Sequence, residues 1–157
     1  MLYNAQKHLL FAITLLFGLT VQAEDIIAKT IYSEASPICS FKERYLIASV
    51  ISNRINHKGF YSLKTAEQVV SHPNAFEAYT SKNSNWTGYD KLNNKAKQEA
   101  KRLSLAIQSN KFHPIENIHF FVTKGFKVPS TFYSKKYWTL NKVCSTKHFD
   151  FFSITSK

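Results

Sequence analysis

Ten acidic side chains stand against 21 lysines and arginines in the 157-residue chain. Most of the acids sit among lysines or on polar faces. Glu34 does not: it follows Ile27, Ile31 and Tyr32, precedes Ala35, and has no lysine nearer in sequence than Lys29. A carboxylic acid with apolar neighbours loses hydration, which penalises its charged form and raises its pKa. A place in the last turn of a helix adds the unfavourable end of the helix dipole. An acid kept protonated near neutral pH can give a proton to a bridging oxygen, the first act of glycosidic cleavage. Glu34 is therefore the candidate catalytic acid, although the same pattern also fits an ordinary surface glutamate near a helix end.

The other reactive groups are two cysteines and six histidines. In an oxidising space Cys39 and Cys144 are expected to form a disulfide, closing a loop of roughly 105 residues worth about 4–5 kcal/mol by the chain-entropy argument. A competing reading makes Cys39 a peptidase nucleophile. It stands just before a helix, where the dipole lowers a thiol pKa, and His57, His119 or His148 would be its base. The histidines show no pair at four-residue helical spacing and no acid–histidine grouping that reads as a ligand set, so neither metal nor cofactor is expected. Trp86, Tyr89, Tyr133, Tyr137 and Trp138 either stack on sugars or fill a core, which leaves a non-catalytic binding module as a third reading.

The elements that must position these groups follow from periodicity. An apolar run from Leu9 to Val21 ends in Val21-Gln22-Ala23, the layout of a signal peptide cleaved after Ala23 and too short for a membrane span. Residues 24–157 then form one domain, exported to the periplasm or cell wall. The spacing predicts helix one over 25–35, stopped by Ser36-Pro37. Helix two is expected over 41–56, with Tyr45, Ala48, Ile51 and Ile55 as a stripe widened by Leu46, Ile47 and Val50. So broad an apolar surface implies a central buried helix, with Gly59 as its cap. Thr65 and Gln68 form a capping box, residues 80–90 read as a polar loop, and a basic amphipathic helix runs from 93 to 109. Residues 118–122 and 149–152 read as short strands. The fold class expected is α+β, mainly helical, with short β segments towards the C-terminus. The net charge of +11 favours polyanionic partners, which outside the cytoplasm means wall polymers and membrane surfaces. Nucleic acid and membrane insertion of the mature chain are not expected.

Two blocks, 27–35 (Ile-Ala-Lys-Thr-Ile-Tyr-Ser-Glu-Ala) and 48–54 (Ala-Ser-Val-Ile-Ser-Asn-Arg), resemble the opening of the SleB-like cell-wall hydrolases, where Tyr-Gly-Glu-Ala precedes a helix ending in Asn-Arg. Weaker similarity continues at Ser71 to Tyr79, at His119-Phe120-Phe121 and at Lys147-His148-Phe149. The resemblance implies a lysozyme-like fold and cleavage of peptidoglycan between muramic acid and glucosamine. It implies Glu34 as the acid, with Tyr32, Phe76, Tyr79 and His148 around the substrate. Where the family carries a second glutamate this chain has Ile38. A single acid implies lytic transglycosylation, in which the sugar's own C6 hydroxyl replaces water. The nearest alternative second acid is Glu43, expected on the exposed side of helix two.

Overall fold

The computed structural model describes residues 26–91, 94–127 and 138–156; the expected signal peptide lies outside them. Helix α1 spans 26–35. Ile27, Ala28, Ile31, Tyr32 and Ala35 repeat at helical spacing, and all are buried. Ser36 adopts a left-handed conformation, φ 59°, and ends the helix just before Pro37.

Helix α2, Phe41–Arg54, is the centre of the domain. Ser40 caps it: its hydroxyl accepts the Glu43 N–H, and the Glu43 carboxylate accepts the Ser40 N–H, a reciprocal capping box. Leu46, Ile47, Ala48, Val50 and Ile51 are buried, as the broad stripe predicts. The helix stops at Arg54, not at 56. Ile55 turns extended and Asn56 is left-handed at φ 59°, so Gly59 is not its cap. Gly59 instead lies in a 3-10 turn, Lys58–Phe60, and donates its N–H to His57 Nδ1 at 3.1 Å.

Helix α3, Ala66–Ser71, starts at the capping box foreseen for Thr65 and Gln68. The stretch read as a polar loop is instead the end of helix α4, Glu77–Ser81, followed by helix α5, Ser84–Gly88, and a 3-10 turn, Tyr89–Lys91. Local chemistry explains the difference. Asn83 caps α5 by accepting the Trp86 N–H, and Trp86 and Tyr89 are buried, which anchors a segment whose other residues are polar. Helix α6, Lys95–Gln108, turns Ala96, Ala100, Leu103 and Ile107 inward. It is joined to α2 by a buried ion pair in which Arg44 Nε and Nη2 both reach Glu99 Oε2, at 3.0 and 2.8 Å.

A three-stranded antiparallel sheet completes the domain, with β1 (Phe120–Thr123), β2 (Trp138–Ser145) and β3 (Phe149–Ser156) in the order β1-β3-β2. β1 and β3 were foreseen, but β2 was not. Lys142 falls where the alternation of Trp138 and Leu140 calls for an apolar residue, and a register irregularity between Lys142 and Cys144 breaks its period. Phe151 is the fully buried centre of the sheet. The architecture is α+β and mainly helical, as expected, and no helix among the described residues is long and apolar enough to cross a membrane.

Candidate active site

Glu34 stands in the last turn of α1, half-buried. Its partner comes from α4. The residue in the N-cap position there, Phe76, has no side chain able to cap, so the first turn of α4 keeps orphan N–H groups. Glu34 Oε1 accepts one of them, from Ala78, at 2.7 Å. Burial pushes the Glu34 carboxyl up to about 7. The Ala78 bond opposes that rise, the Glu77 charge adds to it, and the Arg54 charge opposes it. With Oε1 held as acceptor, the protonated form carries its proton on Oε2. This is the arrangement a general acid needs: a fixed carboxyl, partly exposed, with a pKa near neutrality.

Arg54, last residue of α2, is buried. Its Nε donates to His119 O at 2.9 Å and its Nη1 to Ala75 O at 3.2 Å. The guanidinium lies 4.7, 4.9 and 5.1 Å from the ring centres of Phe60, Phe76 and Phe120, within cation–π range. Arg54 thus ties α2 to the segment leading into α4 and to the start of the sheet. Burial lowers its own pKa to about 10, against the opposing pull of Glu34.

The residues expected around the substrate separate. Tyr32 is fully buried, edge-on to Tyr89 at 5.4 Å, with its hydroxyl 3.3 Å from Asn94 Nδ2. Phe76 is buried beneath the Arg54 guanidinium. Neither has a face to offer a ligand. Tyr79 is half-buried, edge-on to Trp86 at 5.3 Å and 89°, with Lys82 Nζ 3.8 Å above its ring. It adjoins Ala78 and is the substrate candidate nearest Glu34 along α4. Sequence reasoning missed Glu77. It follows Phe76 directly, inside the block that carried the resemblance, and is exposed.

His148 joins a second cluster. Its backbone N–H and its ring Nδ1 both bond to Glu43 Oε1, at 3.1 and 3.0 Å, and Cys39 Sγ lies 3.6 Å from the same Nδ1. Glu43 is therefore not on the exposed side of α2; it is 2% exposed. Burial works to raise its pKa, but bonds from Ser40, Thr146 and His148 outweigh burial and hold the carboxyl at about 2. The expected disulfide is absent: Cys39 and Cys144 are both free thiols. Cys39 is directed at His148, while Cys144 sits on β2 opposite Phe151.

The peptidase reading fails on geometry. An ionised Glu43 can only accept, so the Nδ1 it touches carries the proton and has no lone pair for the Cys39 thiol. A nucleophile–histidine–acid relay needs the acid and the nucleophile on different ring nitrogens. Burial and the Glu43 charge also push the Cys39 thiol up to about 11, with Arg44 opposing. His57 and His119 sit together, ring centres 4.4 Å apart. Burial first, then the neighbouring positive charge of His57 and Arg54, takes His119 down to about 4.

Residues 40–151 match the family described as Cell Wall Hydrolase. The match covers well over half of the chain and begins six residues after Glu34. No curated protein and no solved structure matches the chain.

Proposed function

The chain belongs to the cell wall hydrolase family, and on that premise we propose that it cuts the glycan strand of peptidoglycan with Glu34 as its general acid. The supporting observation is the state of that carboxyl, partly buried, gripped by the Ala78 N–H and raised to about 7. Glu34 gives its proton to the glycosidic oxygen as the bond from C1 to that oxygen breaks. The resulting carboxylate then takes the proton of the C6 hydroxyl, whose oxygen closes on C1 to leave a 1,6-anhydro end. No water enters, so the product is one water lighter than a hydrolytic one. Tyr79, half-buried beside Ala78, offers a face for a sugar ring. The basic surface favours the anionic wall, and the segment ending Val21-Gln22-Ala23 would export the chain to it.

Glu77 supports a second outcome at the same bond. A second carboxylate whose charge acts on Glu34 is what a hydrolase uses to activate water. Digestion of purified peptidoglycan followed by mass analysis separates the two: anhydro ends mean transglycosylation, reducing ends mean hydrolysis, for which Glu77 is the candidate base. If neither appears, the glycan-cleaving reading is wrong; if Glu34→Gln digests as wild type does, Glu34 is not the acid.

A further inference from the structure

We propose that Cys39, Glu43 and His148 form a zinc site, separate from Glu34, that clamps the start of α2 to the turn between β2 and β3. The three donor atoms lie within 4.8 Å of one another. Zinc takes sulfur at about 2.3 Å and imidazole nitrogen or carboxylate oxygen at about 2.0–2.2 Å. In a tetrahedron those lengths place sulfur and nitrogen about 3.6 Å apart and nitrogen and oxygen about 3.3 Å apart. The separations here are 3.6 Å for Sγ to Nδ1 and 3.0 Å for Nδ1 to Oε1. Two of the three separations thus already stand close to ligand spacing, and the third, sulfur to carboxylate oxygen, is no more than 4.8 Å.

The donor set selects the metal. A thiolate and an imidazole are poor partners for calcium or magnesium and suit zinc. Cys39 and Glu43 are buried, while the His148 side chain keeps 26% of its surface. His148 is thus the solvent-facing member of the set, and a fourth ligand from solvent would complete the site on its side. Glu43 can take part without releasing α2. Its Oε2 serves the Ser40 cap, and Oε1 is the oxygen that faces His148 and would take the metal.

Binding balances simply. The Cys39 S–H bond breaks, its proton goes to water, and a sulfur–zinc bond forms. The proton on His148 Nδ1 leaves for solvent as a nitrogen–zinc bond forms there, and the ring's remaining proton sits on Nε2. One thiolate and one carboxylate then neutralise the dication, with no change of oxidation state. The clamp joins residues 39 and 43 to residue 148, closing a long stretch of chain, the case in which a cross-link most restrains the unfolded ensemble. Cys39 and Glu43 are four residues apart, but His148 is remote in sequence, so spacing gives no sign of the site.

The test is cobalt(II) titration of the purified, reduced full chain, with cobalt as the visible stand-in for zinc. One equivalent should bind, giving a thiolate-to-cobalt charge-transfer band and the strong visible absorption of a four-coordinate ion, both removed by one equivalent of zinc. Cys39→Ser should abolish the charge-transfer band, His148→Ala should weaken binding at least tenfold, and Cys144→Ser should change neither. Glu34→Gln should bind as wild type does, which separates this site from the cleavage reading. If the substituted chains do not fold, the wild type decides: zinc should protect Cys39, but not Cys144, from alkylation in peptide mapping. Absence of stoichiometric binding, a band that survives Cys39→Ser, or equal alkylation of Cys39 with and without zinc overturns the proposal.

Discussion

Arg54 donates from Nη1 to the carbonyl of Ala75 at 3.2 Å, and Ala75 opens the short segment that carries Ala78, the donor to Glu34. The end of α2 thereby sets the start of α4, and α4 sets the candidate acid on α1. Arg54→Met removes the donors to His119 and Ala75, one bond buried and one part-buried, a loss of about 2–4 kcal/mol. It also removes the charge that lowers the Glu34 pKa, so any remaining activity should extend to higher pH. Arg54→Lys should recover part of the stability. Urea unfolding of the three proteins checks the order, and equal midpoints for wild type and Arg54→Met would refute it.

Glu34→Gln should lose activity by at least about 100-fold, the lower end of general acid–base assistance, while gaining stability. The Glu34 carboxyl is raised to about 7 in the fold from an ordinary value of 4.5. Its contribution is therefore fully present below 4.5 and lost as pH rises through 7. Glutamine does not ionise. The variant should match wild type near pH 4.5 and exceed it by about 1–3 kcal/mol at pH 8, a range discounted for partial exposure. Thermal unfolding at the two pH values reads this directly.

Glu77→Gln distinguishes the two outcomes at the scissile bond. The Glu77 charge raises the Glu34 pKa, so its loss should move the alkaline limb of the kcat/KM profile to lower pH. In a transglycosylase the maximal rate stays within about tenfold of wild type; in a hydrolase losing its base it falls by about 100-fold or more. An unmoved alkaline limb would show that the two carboxylates do not interact.

Acid should unfold the domain through His119. Its pKa is lowered to about 4 from 6.5, by burial first and then by the charge of His57 and Arg54. With the folded value depressed, the unfolded chain binds the extra proton between pH 6.5 and 4. Stability therefore falls as pH drops through that window, by up to about 3 kcal/mol. Replacing His119 with Gln should flatten this part of the stability curve, as followed by circular dichroism across pH 7 to 4.

Export predicts a defined new terminus. N-terminal sequencing of the protein recovered outside the cytoplasm should begin at Glu24. Recovery of chains that still start at Met1 in a membrane fraction would contradict it.

The helices were legible because burial writes itself into local spacing. Ile27, Ile31 and Tyr32 on α1, and Ala96, Ala100, Leu103 and Ile107 on α6, repeat at helical intervals and are buried. The Thr65–Gln68 box announces α3. Glu34 stood out because its apolar neighbours are adjacent in sequence. What stayed hidden depends on distant partners. Glu43 reads as an exposed acid until His148, 105 residues away, arrives above it. Arg54 reads as a polar helix end until Phe60, Phe76 and Phe120 enclose it. α5 escaped notice because a single tryptophan anchors an otherwise polar turn, and β2 because its bulge breaks the two-residue period that marks a strand.

The Glu34–Ala78 bond makes the candidate acid a working part of α4 as well as a reagent. A carboxylate accepts an N–H bond more strongly than a carboxylic acid does. In the proposed reaction, proton donation therefore tightens the grip on α4 at the moment positive charge develops on the sugar, and reprotonation loosens it. The wall that carries Tyr79 and Lys82 would stiffen and relax once per cut, so the chemical step and the hold on the glycan strand share one switch.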